Sequence, residues 1–145
     1  MHKRFTAVVN VIGHGIDLVE VAALQRWIED PRDPLVPRCF VQAELNELGE
    51  GPDRIERLAG RFAAKEAVLK AIGTGFGDGV AFSDVIIRRA PGSPPEVTLV
   101  GGAAKAAAAR GITRWALSIS HAGGMAMASA LALRDPSHPA GASPD

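Results

Sequence analysis

Hydrophobic and polar positions along this chain fall into blocks with two different periods. Residues 5–16 are dense in Val and Ile and read as a strand, with Asp17 at its end. Val21, Leu24, Trp27 and Ile28 then recur at helical spacing, which predicts a helix over 19–30. Three prolines within 30–37 predict a loop. A short helix is expected over 41–49, closed by Gly49 and Gly51. The strongest helical signal covers 53–72, with Pro52 and Asp53 suited to its start and Gly73 to its stop. A Gly-rich loop, 73–79, follows. Strands are expected over 83–90 and 95–100, joined at 91–94, and then an Ala-rich helix over 102–110 ended by Gly111. The last two strands, 113–120 and 125–133, flank 121–124 as a hairpin. Residues 1–134 read as one domain of α+β class. Residues 135–145 carry three prolines and few large apolar groups, and are expected to form a tail without fixed structure.

Composition narrows the range of functions. Aromatic residues make up 5% of the 145 and Tyr is absent, so the core must rest on Ala, Val, Leu and Ile. Sixteen basic and 16 acidic residues give a formal net charge of zero. That argues against a nucleic-acid protein held by bulk charge. The lone cysteine, Cys39, can form no internal disulfide and no cysteine zinc cluster, which suits a reducing, cytoplasmic setting. Cys39 itself reads as a small packing residue. No apolar stretch approaches the roughly 20 residues that span a membrane. The β-like run behind Lys3 and Arg4 is broken by Asn10, Gly13, His14 and Gly15, so no signal peptide is expected.

The long helix carries the most informative charge pattern. With Ile55 at zero on a helical wheel, Leu58, Ala59, Phe62 and Leu69 fall on one apolar stripe, and Glu66 falls inside it at about 20°. A carboxylate on a core-facing stripe is costly unless it is paired, protonated or bound to a metal. Arg54, Arg57, Arg61 and Lys65 gather between about 200° and 280° as a basic ridge. Lys70 lies one turn after Glu66. A buried-side acid, a lysine and a row of cations suit a divalent metal and a polyphosphate. Each has a plainer reading: Glu66 and Lys70 as an ordinary i,i+4 pair, and the ridge as a solvated face.

Asp17 could supply a second hard oxygen ligand, since magnesium uses one or two carboxylates with water and phosphate oxygens. Asp17-Leu18-Val19-Glu20 equally fits a helix-capping box. Gly73-Thr74-Gly75 follows a helix rather than a strand, so it is no Walker loop. It either ends the helix or lets backbone approach a ligand closely. Ser118-Ile119-Ser120-His121 sits at a strand end with no acidic orienter, so His121 reads as a turn residue or as a ligand contact.

Several of these segments resemble, in order, the holo-acyl-carrier-protein synthases, the small type of phosphopantetheinyl transferase. They are Gly15-Ile16-Asp17-Leu18-Val19-Glu20, the string from Arg61 through Glu66 and Lys70 to Gly75, Phe82-Ser83-Asp84-Val85-Ile86-Ile87, and Leu117-Ser118-Ile119-Ser120-His121. The resemblance spans 8–133. It implies an α+β fold with a small antiparallel sheet packed against a long central helix, and a homotrimer with active sites at subunit interfaces. It implies transfer of phosphopantetheine from coenzyme A to a serine of apo acyl carrier protein. By the same resemblance Asp17 and Glu66 are magnesium ligands and Lys70 attends the leaving phosphate. Arg61, Lys65, Gly73, Thr74, Gly75 and His121 lie along coenzyme A. The chain departs from the family at Val21-Ala22-Ala23, where a basic residue is usual, and in Phe40-Val41-Gln42-Ala43-Glu44, which lacks the usual Thr and Arg. Either a carrier other than the usual fatty-acid one or docking through Arg26, Arg32 and Arg38 is expected instead.

The residues alone leave other readings open. They are a different magnesium-dependent phosphoryl transferase, a non-catalytic carrier-binding module, and a nucleic-acid binder using the ridge. The last conflicts with zero net charge.

Overall fold

The structure is a computed structural model that describes residues 8–74 and 79–136. The chain runs β1 (Asn10–Glu20), α1 (Val21–Ile28), α2 (Leu35–Cys39), α3 (Gln42–Glu47), α4 (Arg54–Ile72), β2 (Val85–Arg88), β3 (Glu96–Leu99), α5 (Gly101–Ala109), β4 (Arg114–Ala122) and β5 (Met125–Arg134). A three-stranded antiparallel sheet in the order β1-β5-β4 packs on α4, and β2-β3 form a separate antiparallel pair. The expected α+β architecture of a small antiparallel sheet on a long helix is what is found.

Small residues set how closely sheet and helix meet. On β5 the inner positions are Ala126, Ala128, Ala130 and Ala132, all buried at the period of two that a strand imposes. On β1 the inner positions are Gly13 and Gly15. A Cβ at Gly13 would lie 2.1 Å from the Ala71 carbonyl oxygen, and one at Gly15 would lie 1.9 Å from that of Ala67. Only glycine admits backbone-to-backbone contact of that kind. β1 therefore lies directly along α4.

The helix is enclosed rather than half-exposed. From Leu58 to Ile72 every residue of α4 is buried except Glu66 and Lys70. The single apolar stripe read from the sequence is thus an underestimate, and the basic ridge is not one solvated face: Arg61 and Lys65 are buried. Gly73, at φ 87°, ends the helix as expected. Its last carbonyls, on Ala71 and Ile72, accept from the Arg110 guanidinium, which also donates to the Ile12 carbonyl at 2.9 Å. That cation sits where the helix dipole favours it.

Other boundaries shift. β1 continues through Asp17 to Glu20, so α1 starts later than expected and Asp17 caps nothing. α2 forms inside and beyond the expected loop. Its Pro37 sits in the first turn, where a missing N–H costs little. β4 runs on through His121 and Ala122, and Gly123 and Gly124, at φ 57° and 78°, make the two-residue hairpin turn. Asp135, the first residue of the expected tail, is fastened to β4: its backbone N–H donates to Thr113 Oγ1 at 2.8 Å. Residues 137–145 and Gly75 lie outside the described residues. Among the described residues no helix is long and apolar enough to cross a membrane.

Candidate active site

The close seating of β1 on α4 decides where Asp17 goes. Gly13, Gly15 and Asp17 alternate onto the same inner face. The first two touch α4 at Ala71 and Ala67, so Asp17 arrives beside Glu66 and Lys70. Lys70 Nζ donates to Asp17 Oδ1 at 3.0 Å and to the Ile16 carbonyl at 3.0 Å. Lys70 is therefore ion-paired with Asp17 across the interface of β1 and α4, not with Glu66 along the helix.

Glu66 lies beside Asp17. Burial pushes its carboxyl above the ordinary glutamate value of 4.5, the charge and hydrogen bond of Asp17 push it further, and Lys70 opposes them. Two carboxyl groups in contact resist ionising together, so the pair attracts a cation. Among the described residues no three His, Cys, Asp or Glu side chains converge on one point. Asp17 and Glu66 are thus a pair of hard oxygen donors, the number magnesium uses, and the donor set fits that ion.

Two cavities meet at Glu66. One, of about 490 Å³, is lined by Trp27, Arg38, Glu66, Val80, Ala81 and Phe82. The other, of about 240 Å³, is bounded among others by Asp17, Leu18, Leu24, Trp27, Phe62 and Glu66. Trp27 forms a wall of both. Its ring meets Phe62 edge-on at 5.9 Å, and its Nε1 donates to Asp33 Oδ2 at 2.6 Å. Asp33 also pairs with Arg38 at 3.0 Å. The sequence presented Trp27 only as an apolar helix position; an aromatic one helix away from Glu66 carries no local signal of a shared wall. A larger groove between β3 and β4 is lined by neither Asp17 nor Glu66.

The remaining expected site residues lie elsewhere. Lys65 Nζ is fully buried, bonded to Glu44 Oε1 at 2.8 Å and to the Val85 carbonyl, with the Phe40 ring 4.9 Å away. Burial pushes its ammonium below the ordinary lysine range, against the pull of Glu44. Arg61 Nη1 donates to the Ile87 carbonyl at 2.6 Å and to Glu47 Oε1 at 3.2 Å. Both cations are thus engaged within the chain. Gly73 is the helix stop, and Thr74 Oγ1 is buried with no hydrogen-bond partner among the described residues. His121 lies at the exposed end of β4 with its ring against Gly60. Gly60 precedes Glu66 by six residues, about 9 Å of helix rise. One copy of the chain brings together Asp17, Glu66 and Lys70, and leaves Arg61 and His121 in a second locus.

This fold is that of a small transferase class. Residues 13–120 match the model of the 4'-phosphopantetheinyl transferase superfamily. A holo-[acyl-carrier-protein] synthase of Desulforudis audaxviator is 45% identical over 85% of this chain and 93% of its own length. The crystal structure of the Neisseria meningitidis holo-[acyl-carrier-protein] synthase superposes with a TM-score of 0.74 at 31% identity, covering 85% of this chain and 98% of that one. That of the Helicobacter pylori enzyme in complex with coenzyme A gives 0.71 at 28% identity, over 82% and 98%. The chain belongs to the 4'-phosphopantetheinyl transferase superfamily, and within it to the holo-[acyl-carrier-protein] synthase family.

Proposed function

We propose that this chain transfers the 4'-phosphopantetheine arm of coenzyme A to a serine of apo acyl carrier protein, releasing adenosine 3',5'-bisphosphate. The observation that carries the reading is the Asp17–Glu66–Lys70 cluster. In a chain of this family, it places two carboxyl groups and an ammonium at the junction of two cavities.

The serine oxygen attacks the β-phosphorus of coenzyme A, and the bond from that phosphorus to the bridging oxygen breaks. Lys70, half exposed and anchored by Asp17 and the Ile16 carbonyl, donates to the phosphate that departs. Glu66 is suited to take the serine proton, because burial and Asp17 raise its affinity for one. Asp17 and Glu66 are the residues that would hold magnesium, which supplies charge neutralisation at the pyrophosphate when bound. The Trp27 and Phe82 wall keeps one side of the site apolar.

The reading includes assembly as a homotrimer. The outer face of the sheet leaves Ile16, Leu18 and Met127 at 52%, 60% and 41% exposure, with Leu18 and Met127 paired across strands. An apolar sheet face of this kind asks for cover. Sharing a site between copies would also bring the exposed His121 to a neighbour's carboxylates. Arg26, Arg32 and Arg38, held by exposed or half-exposed acid partners, are free to change them for those of an acidic carrier. The setting is the cytoplasm, and the pathway served is fatty acid or polyketide synthesis.

The direct test is the intact mass of an apo acyl carrier protein after incubation with this protein, coenzyme A and magnesium, with a chelator control. A gain of one phosphopantetheine unit that chelation abolishes is the expected result. No gain on either fatty-acid or polyketide carriers would remove the assignment.

A further inference from the structure

Gly60 lies in the middle of α4, where glycine is disfavoured relative to alanine. Its backbone is ordinary helix, so no unusual φ explains it. Gly13 and Gly15 are glycines because a Cβ there would strike the helix backbone, which cannot give way. Gly60 is different. A Cβ on it would lie 2.7 Å from His121 Nε2, 3.3 Å from His121 Cε1 and 2.8 Å from Ile119 Cγ2. The nearest of these atoms is the far end of an imidazole on an exposed residue at the end of β4. If a methyl is added, the ring and the Ile119 methyl must both move aside, while the helix backbone need not.

We propose that Gly60 is a positioning residue for coenzyme A: the missing side chain is the seat that fixes the His121 imidazole for its contact with the substrate. This rests on the reading of the chain as a coenzyme A-dependent transferase with His121 along the substrate. The seat is shape rather than charge. The ring lies on bare helix backbone, with Ile119 on the same inner face of β4 two residues earlier. Arg61 follows Gly60 on the helix, and its guanidinium is held by Glu47 and Ile87. One turn of α4 therefore carries both the seat of His121 and Arg61.

The test compares Gly60→Ala, His121→Ala and the double variant. Gly60→Ala is expected to change Tm little, because the helix-favouring alanine offsets the shift it forces on Ile119. It should raise the KM for coenzyme A about tenfold with kcat little changed, the loss of one well-placed hydrogen bond to a charged group. His121→Ala should raise KM at least as much, and adding Gly60→Ala to it should cost nothing further. The His121 imidazole signal in NMR spectra, assigned with His121→Ala, should shift in Gly60→Ala with no substrate present. If Gly60→Ala leaves both KM and that signal unchanged while His121→Ala raises KM, the seat is refuted and the substrate contact stands. If His121→Ala leaves KM unchanged, the contact falls and the proposal with it. A wild-type protein that transfers nothing would sink the transferase reading itself, a failure visible before any variant is made.

Discussion

Lys65 and Glu66 are neighbours on one helix, yet they belong to two charged clusters built on opposite principles. Around Lys65 every charge has a partner, and Lys65 and Glu44 are fully buried. Glu44 accepts from Lys65 Nζ, from the Val41 N–H at 3.0 Å and from the Ile87 N–H at 2.9 Å. Glu47, three residues on, takes Arg61, Arg88 Nε at 2.9 Å and the Arg89 N–H at 3.1 Å. Burial pushes the Glu47 carboxyl up, but those hydrogen bonds outweigh it and hold it below the usual range. The cluster ties α3 to α4 and β2. Around Glu66 the charges are partly exposed and unbalanced: two carboxyl groups touch, a single ammonium faces them, and the proton affinity of Glu66 rises. The first arrangement is satisfied within the chain and holds the fold. The second is the one that the proposed chemistry uses.

The largest difference between them should appear in turnover. Glu66→Gln keeps the shape and removes the charge, and should lower kcat by about 10²–10⁴-fold, the range for a positioned acid or base. Far-ultraviolet circular dichroism and Tm should show an intact fold. Retention of full activity would place Glu66 among ordinary surface carboxylates and erase the contrast.

Lys65→Met tests the other side. It leaves Glu44 buried opposite no cation and should destabilise the chain by about 3–5 kcal/mol, read from the urea unfolding midpoint. Adding Glu44→Gln should recover part of that loss, because the uncompensated charge is then gone. If Lys65→Met instead unfolds normally and loses only coenzyme A affinity, Lys65 is a substrate contact after all.

The two clusters also explain what the sequence could and could not disclose. The long helix was legible because its ends are marked, with Gly73 at the stop, and its apolar positions are dense. The wheel failed on Arg61 and Lys65 because it assumes one buried side. α4 is surrounded by the sheet, α1, α5 and β2, so a cation on its far side meets Glu44 or Glu47 instead of water. Nothing local to Lys65 announces a partner 21 positions earlier. Asp17 was legible as chemistry through its family string, but its rival reading as a cap fell only when β1 was seen to run through it. The reason lies in β5, which pairs residue by residue with β1 from Asp17 to Glu20 and so carries the strand past the point where a helix could begin. Trp27 was missed as a site wall because the wall exists only once α1, α4 and the segment around Phe82 have packed.

The smallest effect separates the clusters by sign. The folded chain holds a proton on Glu66 more tightly than the unfolded chain does. Below pH 4.5, the ordinary glutamate value, the residue is protonated in both states and imposes no penalty. As pH rises from there through the raised folded value, the folded state must give up its proton against burial and Asp17, and stability falls. Glu47 has the opposite sign: its contribution is present above the ordinary value and is lost as pH falls through the lowered one. Glu66→Gln cannot ionise, so it should raise Tm by a small amount at neutral pH, and that gain should shrink toward pH 4. Thermal melts of both proteins across this range, without added divalent ion, measure it. A gain that does not change with pH would assign it to packing. A loss of Tm at neutral pH would mean the ionised Glu66 is already compensated within the chain, and that its site is another structural cluster like that of Lys65.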